Sequence, residues 1–196
     1  MFQQTWWNDN IHSKINEFRQ WVGDETAQSK QYIKAFLQGK GYYTFLDVGC
    51  GTATLNKCIK DELKMVYTGV DSCTYFIDLG SKDNINIINS DVRNMAVIPD
   101  STYDFGFARH IFEHQESFNL ALSELIRVSI YEACHIFFIK PGQTEEKNFD
   151  SAVKLYHNRY SISEINNYLK TNIKVASWEW VHINDKEVAL HIKLIK

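Results

Sequence analysis

Only two prolines occur in this chain of 196 residues. No Pro-rich or Ser/Gly-rich stretch interrupts it, so nothing in it reads as a linker, and a single domain over residues 1–196 is expected. The four cysteines, Cys50, Cys58, Cys73 and Cys134, are scattered. They form no Cys-x-x-Cys pair, which excludes a zinc ribbon and a closely spaced disulfide framework. Such usage fits a reducing compartment, and a cytoplasmic location is expected. No apolar run reaches the ~18 residues of a membrane span, and the opening residues lack the apolar core of a secretory signal. Neither sign of charge dominates: 21 Lys and Arg face 24 Asp and Glu, a net charge of −3. A global basic field that would draw nucleic acid is therefore absent. The hydrophobic share is 44%, enough for one sizeable core at this length.

The most informative stretch is Phe45-Leu46-Asp47-Val48-Gly49-Cys50-Gly51-Thr52. Phe45, Leu46 and Val48 have strand character. Gly49 and Gly51 allow a tight turn and a close approach of backbone to a ligand. Thr52 to Lys64 is predicted to continue as a helix. Strand, glycine turn and helix form the nucleotide-binding corner of a Rossmann-type unit. Asp47 distinguishes between ligands. A carboxylate here opposes a pyrophosphate and attracts an ammonium group. A ligand carboxylate would sit near the free amides of the helix N-terminus.

This segment resembles motif I of the class I S-adenosylmethionine-dependent methyltransferases, with Ala53 where that family often has a third glycine. The resemblance extends over about residues 43–196. It implies an α/β fold, a Rossmann-like seven-stranded sheet of order 3-2-1-4-5-7-6 with helices on both faces. It also implies S-adenosylmethionine as cofactor and S-adenosylhomocysteine as product. Asp47, Gly49, Cys50, Gly51 and Thr52 would hold the cofactor at the first turn. The second strand, Met65–Val70, ends in Asp71, twenty positions beyond Gly51. That spacing suits a ribose-binding carboxylate, and Asp can also cap a helix. Asp71 with Ser72 would bind the ribose. Ile85, Ile87 and Ile88 predict a third strand, after which Asp91 and the amide of Val92 would meet the adenine.

Tyr103–Ala108 reads as the fourth strand, followed by Arg109-His110-Ile111-Phe112-Glu113-His114. Ligands of open α/β sheets sit beyond the carboxyl ends of the strands at the switch in strand order. Arg109, His110 and His114 are therefore the candidate catalytic residues, with Arg109 also at the cofactor. A histidine titrates near neutral pH and can take a proton. His114 is expected to pack beneath the site, while Arg109 and His110 face the acceptor. A second reading of the same segment is metallic. Certain metal-dependent O-methyltransferases are similar here, and His110, Glu113, His114 and His157 would be the ligands, with the first and third at i and i+4 of a helix. The expected assignment is no metal. The Asn/Asp-Pro-Pro-aromatic motif of nucleobase amino-methyltransferases does not follow the fourth strand. A DNA-base target and a membrane partner are not expected; a small-molecule or protruding acceptor is. A module that holds S-adenosylmethionine without turnover is the remaining alternative.

The flanks complete the pattern. Residues 1–42 read as a helical lid. Trp6, Trp7, Ile11, Ile15, Phe18, Trp21 and Val22 recur at spacings of three and four, and Tyr32, Ile33, Phe36 and Leu37 predict a second helix closed by Gly39 and Gly41. Leu120–Val128 is predicted helical and Cys134–Ile139 a buried fifth strand. Ser161 and Glu164, three positions apart, predict a capping box. Lys174–Ile183 and Lys186–Ile195 alternate around Asn184-Asp185 as a hairpin does.

Overall fold

The computed structural model describes residues 27–151 and 154–196. The first predicted helix, Trp6–Val22, lies outside them. In chain order the described elements are α1 (Gln28–Leu37), β1 (Thr44–Val48), β2 (Val66–Asp71), α2 (Thr74–Lys82), β3 (Ile87–Asn89) and β4 (Tyr103–Arg109). There follow α3 (Asn119–Val128), β5 (Ser129–Phe137), β6 (Phe149–Asp150), β7 (Leu155–Tyr156), α4 (Ile162–Thr171), β8 (Val175–His182) and β9 (Val188–Leu194).

Seven strands form one sheet of order β3-β2-β1-β4-β5-β9-β8. The first five pair in parallel, while β9 lies antiparallel between β5 and β8. This is the expected 3-2-1-4-5-7-6 topology, its numbering displaced by a separate two-stranded pair, β6-β7, which the sequence analysis did not foresee. Strand periodicity sorts the side chains of β1 and β4. Leu46, Val48 and Ala108 join one core with α3 and α4. Phe45, Phe105 and Phe107 join the other, with Ile33 and Leu37 of α1. Apolar residues on both faces explain why these strands carry such long hydrophobic runs.

Three boundaries differ from expectation. The segment Thr52–Lys64 is not a continuous helix. Gly51 and Ala53 both take left-handed backbone, φ +53° at each, and carry the chain through successive turns. Helical hydrogen bonding begins only where the Ile59 amide donates to the Leu55 carbonyl, and it passes into a short wide turn at Cys58–Glu62, where the Leu63 amide reaches back to the Cys58 carbonyl. Hence no helix N-terminus directly follows the glycines. The third strand starts at Ile87, because the Ile85 amide donates to the Gly80 carbonyl at the end of α2. The fifth strand starts at Ser129, directly after α3, and ends at Phe137. Buried Glu132 is tolerated in it because the Lys40 ammonium lies 3.2 Å away. Three further expectations hold: α1 is followed by left-handed Gly39 and Gly41, the Ser161 hydroxyl accepts from the Glu164 amide, and β8 and β9 form the hairpin.

Candidate functional site

The carboxyl ends of β1, β2 and β4 meet at a cavity of about 490 Å³. That volume is within the ~300–1,000 Å³ usual for small-molecule sites. Asp47 lies opposite Gly69 of β2 and Phe107 of β4. By strand alternation it shares a face with Arg109, two positions after Phe107. Asp47 is buried, and its carboxylate accepts from the Tyr67 hydroxyl at 2.7 Å. Burial pushes this carboxyl up to about 6, with the Tyr67 hydroxyl and the Arg109 charge acting the other way and Asp71 adding to the rise. Arg109 donates to the Ser29 hydroxyl of α1 at 3.2 Å, and burial lowers its guanidinium from the ordinary value. Gly49 has φ +73°, and a Cβ there would come within 2.2 Å of the Ile111 side chain. Only glycine fits this turn.

Asp71 closes the turn from the other side. Its carboxylate accepts from the Gly51 amide at 2.8 Å and from the Cys73 amide at 2.9 Å. Burial raises its carboxyl, against the Cys73, Gly51 and Ser72 amides. It thus organises the loops as well as facing the cavity. Asp91 is held by Arg93, through the amide at 2.9 Å and through Nε and Nη2 at 3.0 and 2.6 Å. Burial would raise it, but these bonds hold the Asp91 carboxyl below its ordinary value.

The structure brings Asp47, Gly49, Cys50 and Gly51 to the cavity wall, together with Asp71, Ser72, Asp91 and Val92. Arg109, His110, His114 and His157 line it too. Thr52 does not; Thr54 and Leu55 take its place, a consequence of the left-handed turn at Ala53. Phe138, Leu155 and Gln115 also line the cavity and were missed by sequence reasoning. Leu155 belongs to β7, a strand of two residues with no periodicity to read. Phe138 fell within the predicted buried fifth strand, and its position just past the strand end, where β5 opens onto the site, is the signal that was available.

The His-x-x-Glu-His segment is split between two environments. Arg109 ends β4, His110 takes left-handed backbone at φ +59°, and Phe112–His114 form one 3-10 turn. His110 and His114 therefore do not share a helical face. Glu113 is fully buried away from the cavity lining. Its carboxylate accepts from the Phe138 amide at 2.6 Å, the Ile139 amide at 3.4 Å and His135 Nε2 at 3.2 Å. Burial would push this carboxyl up, but the His135 hydrogen bond leads a set of interactions that holds it below its ordinary value. The metal reading loses its carboxylate ligand. Among the described residues no three His, Cys, Asp or Glu side chains are grouped to hold a metal ion.

His110 Nε2 lies 2.8 Å from the Glu187 carboxylate, which also accepts from Asn184 Nδ2 at 2.7 Å. These bonds, with one from Ser29, outweigh burial and hold the Glu187 carboxyl down at about 2. His114 Nδ1 lies 2.9 Å from the Tyr156 carbonyl oxygen of β7. Burial holds its imidazole below the ordinary value, against the effect of that carbonyl.

Comparisons with known proteins agree with this architecture. Residues 46–133 match the methyltransferase domain family. No curated protein matches the chain. Among solved structures, the chain is similar to magnesium protoporphyrin IX methyltransferase from Synechocystis PCC 6803 with bound S-adenosylmethionine, at TM-score 0.70 and 14% identity, covering 98% of this chain and 97% of that one. It is also similar to the 1,6-didemethyltoxoflavin-N1-methyltransferase of Burkholderia thailandensis, solved with its namesake compound and S-adenosylhomocysteine. There the TM-score is 0.66 and the identity 14%, covering 98% and 88%. A Haloferax volcanii structure, a complex with the Trm112 methyltransferase activator, superposes at TM-score 0.73 with 10% identity over 96% and 97% of the two chains. Residues 46–133 thus match a methyltransferase domain, and the strand order and the aspartate-bearing glycine turn are those of the Rossmann-like methyltransferase fold.

Proposed function

We propose that this protein transfers a methyl group from S-adenosylmethionine to a small-molecule acceptor. The observation that carries the reading is one cavity with two unlike ends. At one end the buried carboxylate of Asp47 and the partly buried one of Asp71 stand beside the glycine turn; at the other are Arg109, His110 and His114. The first end fits the cofactor. A carboxyl pushed up by burial marks a place that gains from a cation, which the ligand's ammonium supplies. Asp71 and Asp91 keep lone pairs for hydroxyl and amino donors, and the glycines leave room for close backbone contact. When bound, the cofactor supplies a methyl group on a sulfonium, already a good leaving group.

What the chain adds is mainly position. Asp47 and Asp71 fix the donor beneath the strand ends. Arg109 and His110 flank the acceptor end, anchored by Ser29 and Glu187. A small acceptor fits the cavity volume, and the similar porphyrin and toxoflavin enzymes are named for small-molecule acceptors. Among the described residues no helix is long and apolar enough to cross a membrane. The scattered cysteine spacing, with no Cys-x-x-Cys pair, supports a cytoplasmic setting.

Calorimetry tests the cofactor. S-adenosylhomocysteine should bind at micromolar level, on the order of −8 kcal/mol, and NAD should not bind. Binding of NAD without S-adenosylhomocysteine would overturn the reading. An acceptor panel scored by S-adenosylhomocysteine release then tests turnover; cofactor binding without release from any acceptor favours a holding module.

A further inference from the structure

The acceptor end of the cavity is chemically unlike the cofactor end. Asp47, Asp71 and Asp91 line the side made by β1, β2 and the loop after β3. Beyond β4, the described lining has apolar Ile111, Phe138 and Leu155, the amide of Gln115 and three imidazoles, with no carboxylate. Glu113, which could have supplied one, is consumed in the core. The Phe138 ring lies between two of the imidazoles, 5.1 Å from His110 and 5.4 Å from His114, and His157 stands 5.3 Å from His114. Such a bank of rings suits a flat aromatic ligand stacked or set edge-on.

Within that bank His114 has a defined hydrogen-bonding state. Its Nδ1 meets the Tyr156 carbonyl at 2.9 Å. A carbonyl oxygen only accepts, so Nδ1 carries the hydrogen. In the neutral ring, Nε2 then presents a lone pair. Nε2 is not among the buried side-chain atoms left without a partner. The side chain lines the cavity, so this lone pair opens on the acceptor space. His110 differs: its Nε2 is bound to Glu187, and its ring sits at the rim, shared with a shallow depression beside Asn184 and Lys186.

Building on the methyltransferase reading, we infer that His114 is the catalytic residue that takes the acceptor's proton, and that the acceptor is a planar aromatic ring bearing a weakly acidic O–H or ring N–H. The O–H or N–H donates to Nε2. As the acceptor atom's lone pair bonds the methyl carbon, the electron pair of the broken carbon–sulfur bond stays on sulfur. The acceptor's proton ends on Nε2, and the imidazolium returns it to solvent. Burial keeps His114 neutral and only weakly basic, which suits a group that is already acidic. The Tyr156 carbonyl selects the tautomer, so the β6-β7 pair is part of the acceptor site.

Two measurements test this on the full chain saturated with S-adenosylhomocysteine. Long-range proton–nitrogen NMR of the histidine rings should show His114 as the Nδ1–H tautomer; an Nε2–H tautomer overturns the assignment. Calorimetry then compares 7-hydroxycoumarin with 7-methoxycoumarin, and benzimidazole with 1-methylbenzimidazole. In at least one pair the O–H or N–H member should bind about five- to tenfold tighter, the value of one hydrogen bond. His114→Asn retains an N–H for the Tyr156 carbonyl and places nothing at Nε2. In this variant the preference should fall to within about twofold while S-adenosylhomocysteine affinity is kept. No preference in either pair, no binding of any probe, or a preference that survives in His114→Asn overturns the inference. Failure of S-adenosylhomocysteine itself to bind would instead strike the methyltransferase reading.

Discussion

Asp47 offers the sharpest test of how this cavity holds a cationic ligand. Its carboxyl is pushed from 3.8 to about 6 in the unliganded protein, chiefly by burial. Between these values the folded chain holds more proton than the unfolded chain. Stability therefore falls as pH rises from about 4 to about 6, by about 3 kcal/mol for a shift of roughly two units. An ammonium placed beside the carboxylate restores the charged form, so ligand binding expels the proton. If the bound carboxyl returns to its ordinary range, affinity for S-adenosylhomocysteine should drop about tenfold from pH 7.5 to pH 5, or ~1.4 kcal/mol. The assay is calorimetry across that range in buffers of different ionisation enthalpy, which also counts the proton released. Asp47→Asn should bind more weakly at pH 7.5, by roughly 1.5–3 kcal/mol, the range for a hydrogen bond to a charged group. Most of the pH slope should vanish in that variant, and its ligand-free melting temperature should no longer fall between pH 4.5 and 6.5. A wild-type affinity that is flat with pH, or an unchanged slope in Asp47→Asn, would refute the reasoning.

Other side chains give further checks. Tyr67→Phe removes the hydroxyl that donates to Asp47, so the midpoint of the binding pH profile should move upward; an unmoved midpoint would mean that this bond does not support the carboxylate. Asp71→Ala should weaken S-adenosylhomocysteine binding by roughly 1.5–3 kcal/mol. Because Asp71 also ties the Gly51 and Cys73 amides, it should lower the ligand-free melting temperature as well, and calorimetry paired with thermal melts separates the two effects. Glu113→Ala strips the partner from His135 and two backbone amides, and urea unfolding should show a loss of roughly 3–5 kcal/mol, the usual cost of breaking a buried pair. A stability loss under about 1 kcal/mol would show that the carboxylate is not the anchor its bonds indicate.

The parts of the fold legible in the sequence are those whose signal is local. Phe45 to Val48 alternates into two cores, and glycines follow it where positive φ is needed. The reach from Gly51 to Asp71 is set by one connection and one strand, so its spacing survives folding and ends in a 2.8 Å hydrogen bond. The missed parts lack such signals. Ala53 adopts left-handed backbone although it has a Cβ, and nothing in its neighbours announces this. Strands β6 and β7 are two residues each, too short for alternation to appear. Yet Tyr156 there decides which nitrogen of His114 carries a proton.

The His-x-x-Glu-His segment shows why residue type outlived orientation in the sequence reading. An α-helix would have placed His110 and His114 on one face and Glu113 beside them. That geometry needs helical backbone throughout, and His110 at φ +59° breaks it at the first residue. The following 3-10 turn winds more tightly, at about three residues per turn. It sends Glu113 inward to the Phe138 amide and His135, leaving His114 on the cavity wall. In the proposed mechanism the backbone reversal exchanges the expected roles. The residue anticipated beneath the site presents a lone pair to it, and the one expected to face the acceptor is tied by Glu187 at the rim. The reversal depends on partners more than twenty positions away, Phe138 and Tyr156 for one histidine's surroundings and Glu187 for the other. No window of six residues contains them.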